Sequence, residues 1–302
     1  MKIYYTSDLS PIEFHLTEYY ISEIRNKELT ALKKWNWLVW VAAGALLFFY
    51  TRTDARQDSV SASETLIKTY DPINNPDQSL ADYLIFRAMI SGQAKMAVTG
   101  SSVTKGSGSS KQSRTWRGRI EVNLRNTNPA LEDLVLTNHG HSGYTSVRLL
   151  EDHVTAPILK EQPDVLFIET SVINNHNKNV SLKDTFASLS SLHEIYSTAL
   201  PETRIVFLSP NPCTENNFGP PLNQFGLTFT DYVKATESYI TNQGWTYFDT
   251  HGFMLYYMAD KGISLPSTLK DGIHPNDRGY KIWAEVLWPF MQQKQEVTKS
   301  SL

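Results

Sequence analysis

The residues with the clearest chemical potential lie near the C-terminus, where Asp271 precedes His274 by three positions. A histidine takes a proton from a nucleophile effectively when a carboxylate beside its other ring nitrogen fixes its tautomer and orientation. Gly272 lets the backbone curl and Pro275 disfavours helical geometry at His274, so the pair is predicted to lie in a tight loop. The pattern indicates acid-base service to a nucleophile elsewhere in the chain; the alternative is a surface turn.

A candidate nucleophile follows the first predicted strand, in the Gly/Ser-rich segment over residues 100–106. Small residues in a strand-to-helix turn let a ligand approach the backbone, and Ser102 stands in that turn. The segment lacks the glycine spacing of a P-loop or of a dinucleotide-binding turn. Ser102 is therefore predicted to be the nucleophile, while a simple turn and a phosphate cradle stay open as alternatives.

Two further loops offer hydrogen-bond donors. Gly143 follows the second predicted strand with an unobstructed backbone N–H, and Asn174 follows the third with a side-chain amide. Together with the backbone N–H of Ser102, these groups are predicted to form an oxyanion hole for a tetrahedral acyl intermediate.

The segments that must position these residues alternate between short apolar runs and longer amphipathic stretches, which predicts an α/β fold. The expected architecture is a three-layer α/β/α sandwich around a central parallel sheet, with the site at the carboxyl ends of the strands. Trp283, Val286, Leu287 and Phe290 are predicted to form the core face of the last helix. The predicted strands are 95–99, 134–137, 165–170, 204–209 and 245–249, and the predicted helices are 79–91, 116–126, 146–159, 182–199 and 229–243.

Four blocks of sequence, around Ser102, around Gly143, around Asn174 and from Asp271 to His274, carry a family resemblance. Their order and spacing resemble those of the SGNH subgroup of the GDSL esterase/lipase superfamily over roughly residues 93–293. The resemblance implies a flavodoxin-like SGNH hydrolase fold and a nucleophilic Ser102. It also implies that Asp271 and His274 complete a catalytic triad, and that Gly143 and Asn174 complete the oxyanion hole.

The sequence departs from the family pattern at two positions. Ser101 stands where the family usually has an aspartate before the nucleophile, and Ile173 stands where a strict register places the oxyanion-hole asparagine. A slip of one residue restores Asn174, and Asn175 is the second choice. Loss of one oxyanion-hole donor typically lowers the rate by about 10² to 10³.

The N-terminal part of the chain has a different composition. Residues 35–51 form a nearly unbroken apolar block with aromatic ends, preceded by Lys33 and Lys34, which predicts one transmembrane helix with a cytoplasmic N-terminus. A buried globular helix and a cleaved signal peptide are the alternatives. The expected organisation is a cytoplasmic segment over 1–34, the membrane helix over 35–51, a linker over 52–78 and an extracytoplasmic hydrolase-like domain over 79–302.

Composition narrows the partners. A formal net charge of −3 over 302 residues gives no basic field for nucleic acid. The single cysteine, Cys213, cannot form an intramolecular disulfide, so it does not report a compartment. The loop histidines His139, His141 and His176 raise a zinc site as a rival, although their spacing is not diagnostic, and no metal or organic cofactor is expected.

The expected function is therefore a membrane-anchored serine esterase that acts through an acyl-enzyme on short acyl esters, chiefly O-acetyl groups on cell-surface carbohydrate. An acyltransferase that passes the acyl group to a sugar hydroxyl would use the same triad. A catalytically silent carbohydrate-binding module is the rival from another class. The oligomeric state stays open.

Overall fold

The computed structural model describes residues 64–214 and 221–294, preceded by residues 40, 41, 44, 45 and 48. The chain divides into two compact units, residues 1–66 and 67–302. In the first unit, Trp40 and Phe48 are helical and exposed.

Among the described residues, no helix combines the length and the apolar character that a membrane crossing requires. The predicted cytoplasmic segment 1–34 and most of the predicted membrane helix 35–51 lie outside the described residues. Within the predicted linker, residues 64–70 are helical.

The second unit contains one five-stranded sheet in the order β2-β1-β3-β4-β5, and every neighbouring pair is parallel. The chain reverses direction across the sheet beside β1, and parallel sheets bind ligands at such a reversal. The strands are β1 (Lys95–Gly100), β2 (Val135–Gly140), β3 (Val165–Glu169), β4 (Arg204–Leu208) and β5 (Tyr247–Phe248).

Helices connect and cover these strands. Their starts follow local sequence signals: Ser79 and Ser181 are N-caps whose hydroxyls accept backbone N–H groups, and Thr228 with Asp231 forms a capping box. The helices are α1 (Leu80–Ser91), α2 (Ser102–Lys105), α3 (Trp116–Thr127), α4 (Asp152–Glu161), α5 (Val172–Asn177), α6 (Leu182–Ala199), α7 (Phe229–Asn242), α8 (Thr250–Asp260) and α9 (Asp277–Gln292).

Every side chain of β3 is buried because helices lie on both faces of the sheet. Val165 and Phe167 pack in one core with α1, α3, α8 and α9, whereas Leu166 and Ile168 pack in a second core with α4, α6 and α7. Alternate side chains of a strand point to opposite faces, so the two cores correspond to two helical layers. The predicted α/β architecture with a central parallel sheet is confirmed.

Two element predictions differ from the structure. The single helix predicted over 146–159 is wrong: a 3₁₀ turn at Arg148–Leu150 precedes α4, and Glu151 between them has an extended backbone. The sequence analysis also missed α8, which begins where the Asp249 carboxylate accepts the N–H of Gly252 at 3.0 Å. The predicted core face of the last helix is confirmed, since Trp283 and Leu287 are fully buried while Val286 and Phe290 pack against the core.

Candidate active site

Ser102 begins α2 directly after β1 reaches the carboxyl edge of the sheet. Ser102 is buried, with only 7% of its surface exposed to solvent. The Ser102 Oγ lies 2.9 Å from His274 Nε2, although 172 positions separate the two residues in sequence. The predicted nucleophile and the predicted base are therefore in direct contact.

Asp271 holds the opposite side of the imidazole. Its Oδ2 lies 2.7 Å from His274 Nδ1, and its Oδ1 accepts the backbone N–H groups of Ile273 at 3.0 Å and His274 at 2.8 Å. Gly272 allows this tight turn with a φ of 86°. Partial burial raises the pKa of Asp271, but the hydrogen bonds from His274 and Ile273 outweigh it, so the net pKa lies below the usual carboxyl value. The carboxylate is thus ionised at neutral pH.

The histidine loop is anchored to the nucleophile turn by the start of α9. The buried Tyr280 hydroxyl lies within hydrogen-bonding distance of the carbonyl oxygens of Val103, at 3.0 Å, and Ser107, at 2.8 Å. Gly108 approaches the backbone of Pro275 so closely that a Cβ there would lie 2.4 Å from the Pro275 oxygen. These contacts fix the position of the imidazole relative to Ser102.

Asn174 and Lys178 bind the backbone of the loop that contains Gly143. The Asn174 Nδ2 donates to the carbonyl of Tyr144 at 2.8 Å, and the Lys178 ammonium one turn later donates to the carbonyl of Gly143 at 2.5 Å. A side-chain amide has two N–H groups, so the bond to Tyr144 leaves one for a ligand. Asn174 therefore holds the Gly143 loop with one N–H of its amide, and the second N–H can bind a ligand.

Asn175, the second choice for the oxyanion hole, has a different role. It is fully buried, and its Nδ2 donates to the hydroxyls of Ser146 at 2.7 Å and Thr185 at 2.9 Å. Its Oδ1 accepts the backbone N–H of Ser146 at 2.9 Å. Both N–H groups are occupied, so the geometry favours Asn174 as the oxyanion donor.

The two asparagines are expected to separate by experiment. Asn174→Ala should lower kcat on p-nitrophenyl acetate by about 10² to 10³, because it removes one oxyanion donor. Asn175→Ala, the matched control, should instead lower the free energy of unfolding by about 1–3 kcal/mol, since it leaves buried partners unsatisfied. Steady-state kinetics and urea unfolding measure both effects; the reverse assignment of losses would make Asn175 the donor.

The three loop histidines have separate partners. His139 Nε2 lies 2.9 Å from Glu161, His141 stacks on the ring of Tyr144, and His176 Nε2 lies 3.1 Å from the carbonyl of Leu227. Burial, with His153 and His139 nearby, lowers the pKa of His141. In the part of the chain that the structure describes, no group of three or more His, Cys, Asp or Glu residues is arranged to hold a metal ion.

An open cavity of about 740 Å³ adjoins the triad on the side of His274. Its lining residues include serine hydroxyls and charged side chains, which can form hydrogen bonds with a hydroxylated ligand. The lining residues are Ser107, Gly108, Ser109, Ser110, Lys270, Asp271, His274, Asn276, Asp277 and Arg278.

Sequence reasoning missed three residues that organise this site: Lys178, Tyr280 and Glu169. A role for Glu169 could have been predicted from the sequence, because it is the one charged residue in the otherwise apolar strand β3. The roles of Lys178 and Tyr280 could not have been predicted, because they depend on contacts that only the folded chain creates. Lys178 contacts Gly143, and Tyr280 contacts Val103 and Ser107.

Comparison with known proteins shows the family to which the chain belongs. Residues 98–282, more than half of the chain, match the GDSL-like Lipase/Acylhydrolase family. The chain therefore belongs to the GDSL-like Lipase/Acylhydrolase family, and its parallel sheet carries the Ser102, His274 and Asp271 contacts within the matched residues. The resemblance to the GDSL superfamily predicted from the four sequence blocks is thereby confirmed.

Individual relatives are more distant. The chain is 23% identical over 128 residues to the human protein named isoamyl acetate-hydrolyzing esterase 1 homolog, covering 40% of this chain and 50% of that protein. Among solved structures, a two-domain esterase (CEX) active on acetylated mannans aligns with a TM-score of 0.54 at 17% identity, covering 69% of this chain and 52% of that one. The acetylxylan esterase Axe2 from Geobacillus stearothermophilus, solved as a catalytic mutant, aligns with a TM-score of 0.52 at 17% identity, covering 67% and 95%. The chain thus spans about half the length of the human relative and of the mannan esterase.

Proposed function

We propose that this protein is a serine esterase that removes short acyl groups, chiefly O-acetyl groups, from carbohydrate esters. The observation that carries the proposal is the continuous chain of contacts from Ser102 Oγ to His274 Nε2 and from His274 Nδ1 to Asp271 Oδ2. It lies at the carboxyl edge of the sheet and beside an open cavity whose lining includes serine hydroxyls and charged side chains.

In this mechanism His274 Nε2 removes the hydroxyl proton of Ser102 as Oγ attacks the ester carbonyl. Asp271 orients the imidazole and stabilises the imidazolium that forms. His274 then returns the proton to the leaving alcohol, which leaves an acyl group on Ser102. Water, deprotonated by the same histidine, attacks this acyl-enzyme and releases the acid and Ser102. No residue changes its net protonation over the cycle.

The tetrahedral intermediates carry a negative oxygen. The backbone N–H groups of Ser102 and Gly143 and the second N–H of Asn174 are assigned to stabilise it. Support comes from the tethering of the Gly143 loop by Asn174 and Lys178, which restricts the donors before substrate binds. Preorganised donors stabilise the developing charge without a cost in reorganisation at the moment of reaction.

The carbohydrate substrate is favoured by two independent features. The cavity beside His274 is lined by hydroxyl and charged groups, and two structural neighbours are described as active on acetylated mannans and as an acetylxylan esterase. A location outside the cytoplasm, with residues 35–51 as a membrane anchor, is proposed from the sequence pattern and fits a substrate on the cell surface.

The substrate proposal is tested by measuring acetate release from acetylated manno- and xylo-oligosaccharides by the full-length protein. The expected kcat is in the ordinary enzyme range of about 1–10³ s⁻¹, and p-nitrophenyl octanoate should be cleaved more slowly than p-nitrophenyl acetate.

An added unacetylated oligosaccharide distinguishes the alternatives. Acetyl groups that appear mainly on this acceptor would identify an acyltransferase. Binding of the oligosaccharides without any acyl release would identify a silent binding module and overturn the esterase proposal.

A further inference from the structure

Glu169 is a buried carboxylate behind the proposed active site that the mechanism does not use. It ends β3, after four apolar residues, and has no exposed surface. β3 is the central strand of the sheet, with β1 on one side and β4 on the other. Glu169 therefore lies at the carboxyl end of the central strand. A buried acidic group is costly unless donors satisfy it, so its contacts need a physical account.

The two oxygens of Glu169 reach two different turns. Oε2 accepts the backbone N–H of Ser101 at 2.7 Å, and Oε1 accepts the backbone N–H of Ser171 at 2.8 Å. Ser101 directly precedes the proposed nucleophile, and Ser171 precedes Asn174 by three positions. One rigid group therefore connects the turn of the nucleophile to the turn of the oxyanion donor.

The local backbone is built around this carboxylate. Ser171 has a left-handed conformation, with a φ of 56°, which non-glycine residues adopt rarely. On the opposite side, a Cβ at Gly100 would lie 2.7 Å from Glu169 Oε2, so the close approach requires glycine there. Strained conformations persist where neighbouring groups hold them, and they concentrate at functional sites.

We infer that Glu169 is a positioning residue, whose carboxylate sets the separation between the Ser102 N–H and the Asn174 amide in the proposed oxyanion hole. The inference rests on the proposed esterase function and deepens it. Glutamine at this position has the same shape but only one acceptor oxygen, and its NH₂ would face a backbone N–H. It can therefore hold one turn but not both.

The test compares Glu169→Gln with a matched control at the other end of the same strand. Asp164 precedes β3, is also buried, and accepts the backbone N–H of Lys95 at 2.7 Å while pairing with Arg87. Asp164→Asn thus removes a buried carboxylate at the edge of the sheet that lies away from the site.

In the full-length protein, Glu169→Gln should lower kcat on p-nitrophenyl acetate by about 10- to 100-fold, with KM little changed, because displacing an oxyanion donor costs less than the loss of about 10² to 10³ that follows its removal. Asp164→Asn should leave kcat unchanged. Adding Ser171→Gly to Glu169→Gln should restore part of the lost kcat, because glycine adopts the left-handed turn without help.

Wild-type kcat in Glu169→Gln, or an equal loss of kcat in Asp164→Asn, would overturn the inference. If Glu169→Gln does not fold, Glu169→Asp, which keeps the charge but shortens its reach, is judged by the same criteria. A wild-type protein without esterase activity would instead refute the proposed function. The rate of fluorophosphonate labelling of Ser102 supplies a readout that needs no substrate, and it should fall with kcat.

Discussion

Ser102→Ala is expected to lower kcat on p-nitrophenyl acetate by on the order of 10⁵ to 10⁶, the loss that follows removal of the nucleophile from a triad. Alanine removes one oxygen whose described contact is with His274 Nε2, and it leaves the backbone bond from Gly106 N–H to the Ser102 carbonyl in place. The protein should therefore stay folded while acyl-enzyme formation stops. Steady-state kinetics and far-UV circular dichroism measure the two properties.

Ser209→Ala is the matched control. Ser209 is buried at the carboxyl end of β4, and its hydroxyl contacts Asp249 Oδ1 at 2.9 Å and accepts the N–H of His251 at 2.9 Å. This second cluster of Ser, Asp and His serves to begin α8, so its loss should reduce stability and leave kcat unchanged. A kcat that falls in Ser209→Ala but is retained in Ser102→Ala would place the reaction at the end of β4 and contradict the assignment of Ser102 as the nucleophile.

Asp271→Asn is expected to cause the second largest loss, roughly 10³ to 10⁴ in kcat, because asparagine favours the wrong tautomer and does not stabilise an imidazolium. The lower part of this range is expected, since the Asp271 side chain is 50% exposed and water screens its charge. The pKa of Asp271 lies below the usual carboxyl value, so the aspartate is ionised at the neutral pH at which kcat is compared.

Asp249→Asn serves as the control, because Asp249 also precedes a histidine in sequence and its carboxylate caps α8 by accepting the N–H of Gly252. Asp249→Asn should lower the free energy of unfolding and leave kcat unchanged. A loss below tenfold for Asp271→Asn would contradict the assigned role of Asp271.

Much of the fold was predictable because the strands are buried on both faces. Continuous apolar runs such as the first four residues of β3 have few alternatives in a chain that also contains amphipathic helices. The helix Leu182–Ala199 was predicted with its observed bounds, since Ser181 caps its start. The predicted contact of Ser102 with His274 and Asp271 was accessible because Ser102 follows β1, at the edge where parallel sheets place their sites, and because Asp271 and His274 share one tight turn.

The remaining details depend on tertiary contacts that leave little trace in sequence. The choice between Asn174 and Asn175 depends on the partners of Asn175, whose Nδ2 donates to the hydroxyls of Ser146 and Thr185. The break at Glu151 is one backbone rotation within an otherwise helical pattern. The bridging role of Glu169 is visible only after Ser101 and Ser171 come together in space.

The central claim is that Ser102 is an activated nucleophile, and covalent labelling tests it most directly. The purified full-length protein is treated with a fluorophosphonate probe, and the modified residue is mapped by peptide mass spectrometry. The account predicts a single probe adduct on Ser102, strongly slowed in Asp271→Asn and absent in Ser102→Ala. An unlabelled protein, or an adduct on another serine that persists in Ser102→Ala, would contradict it.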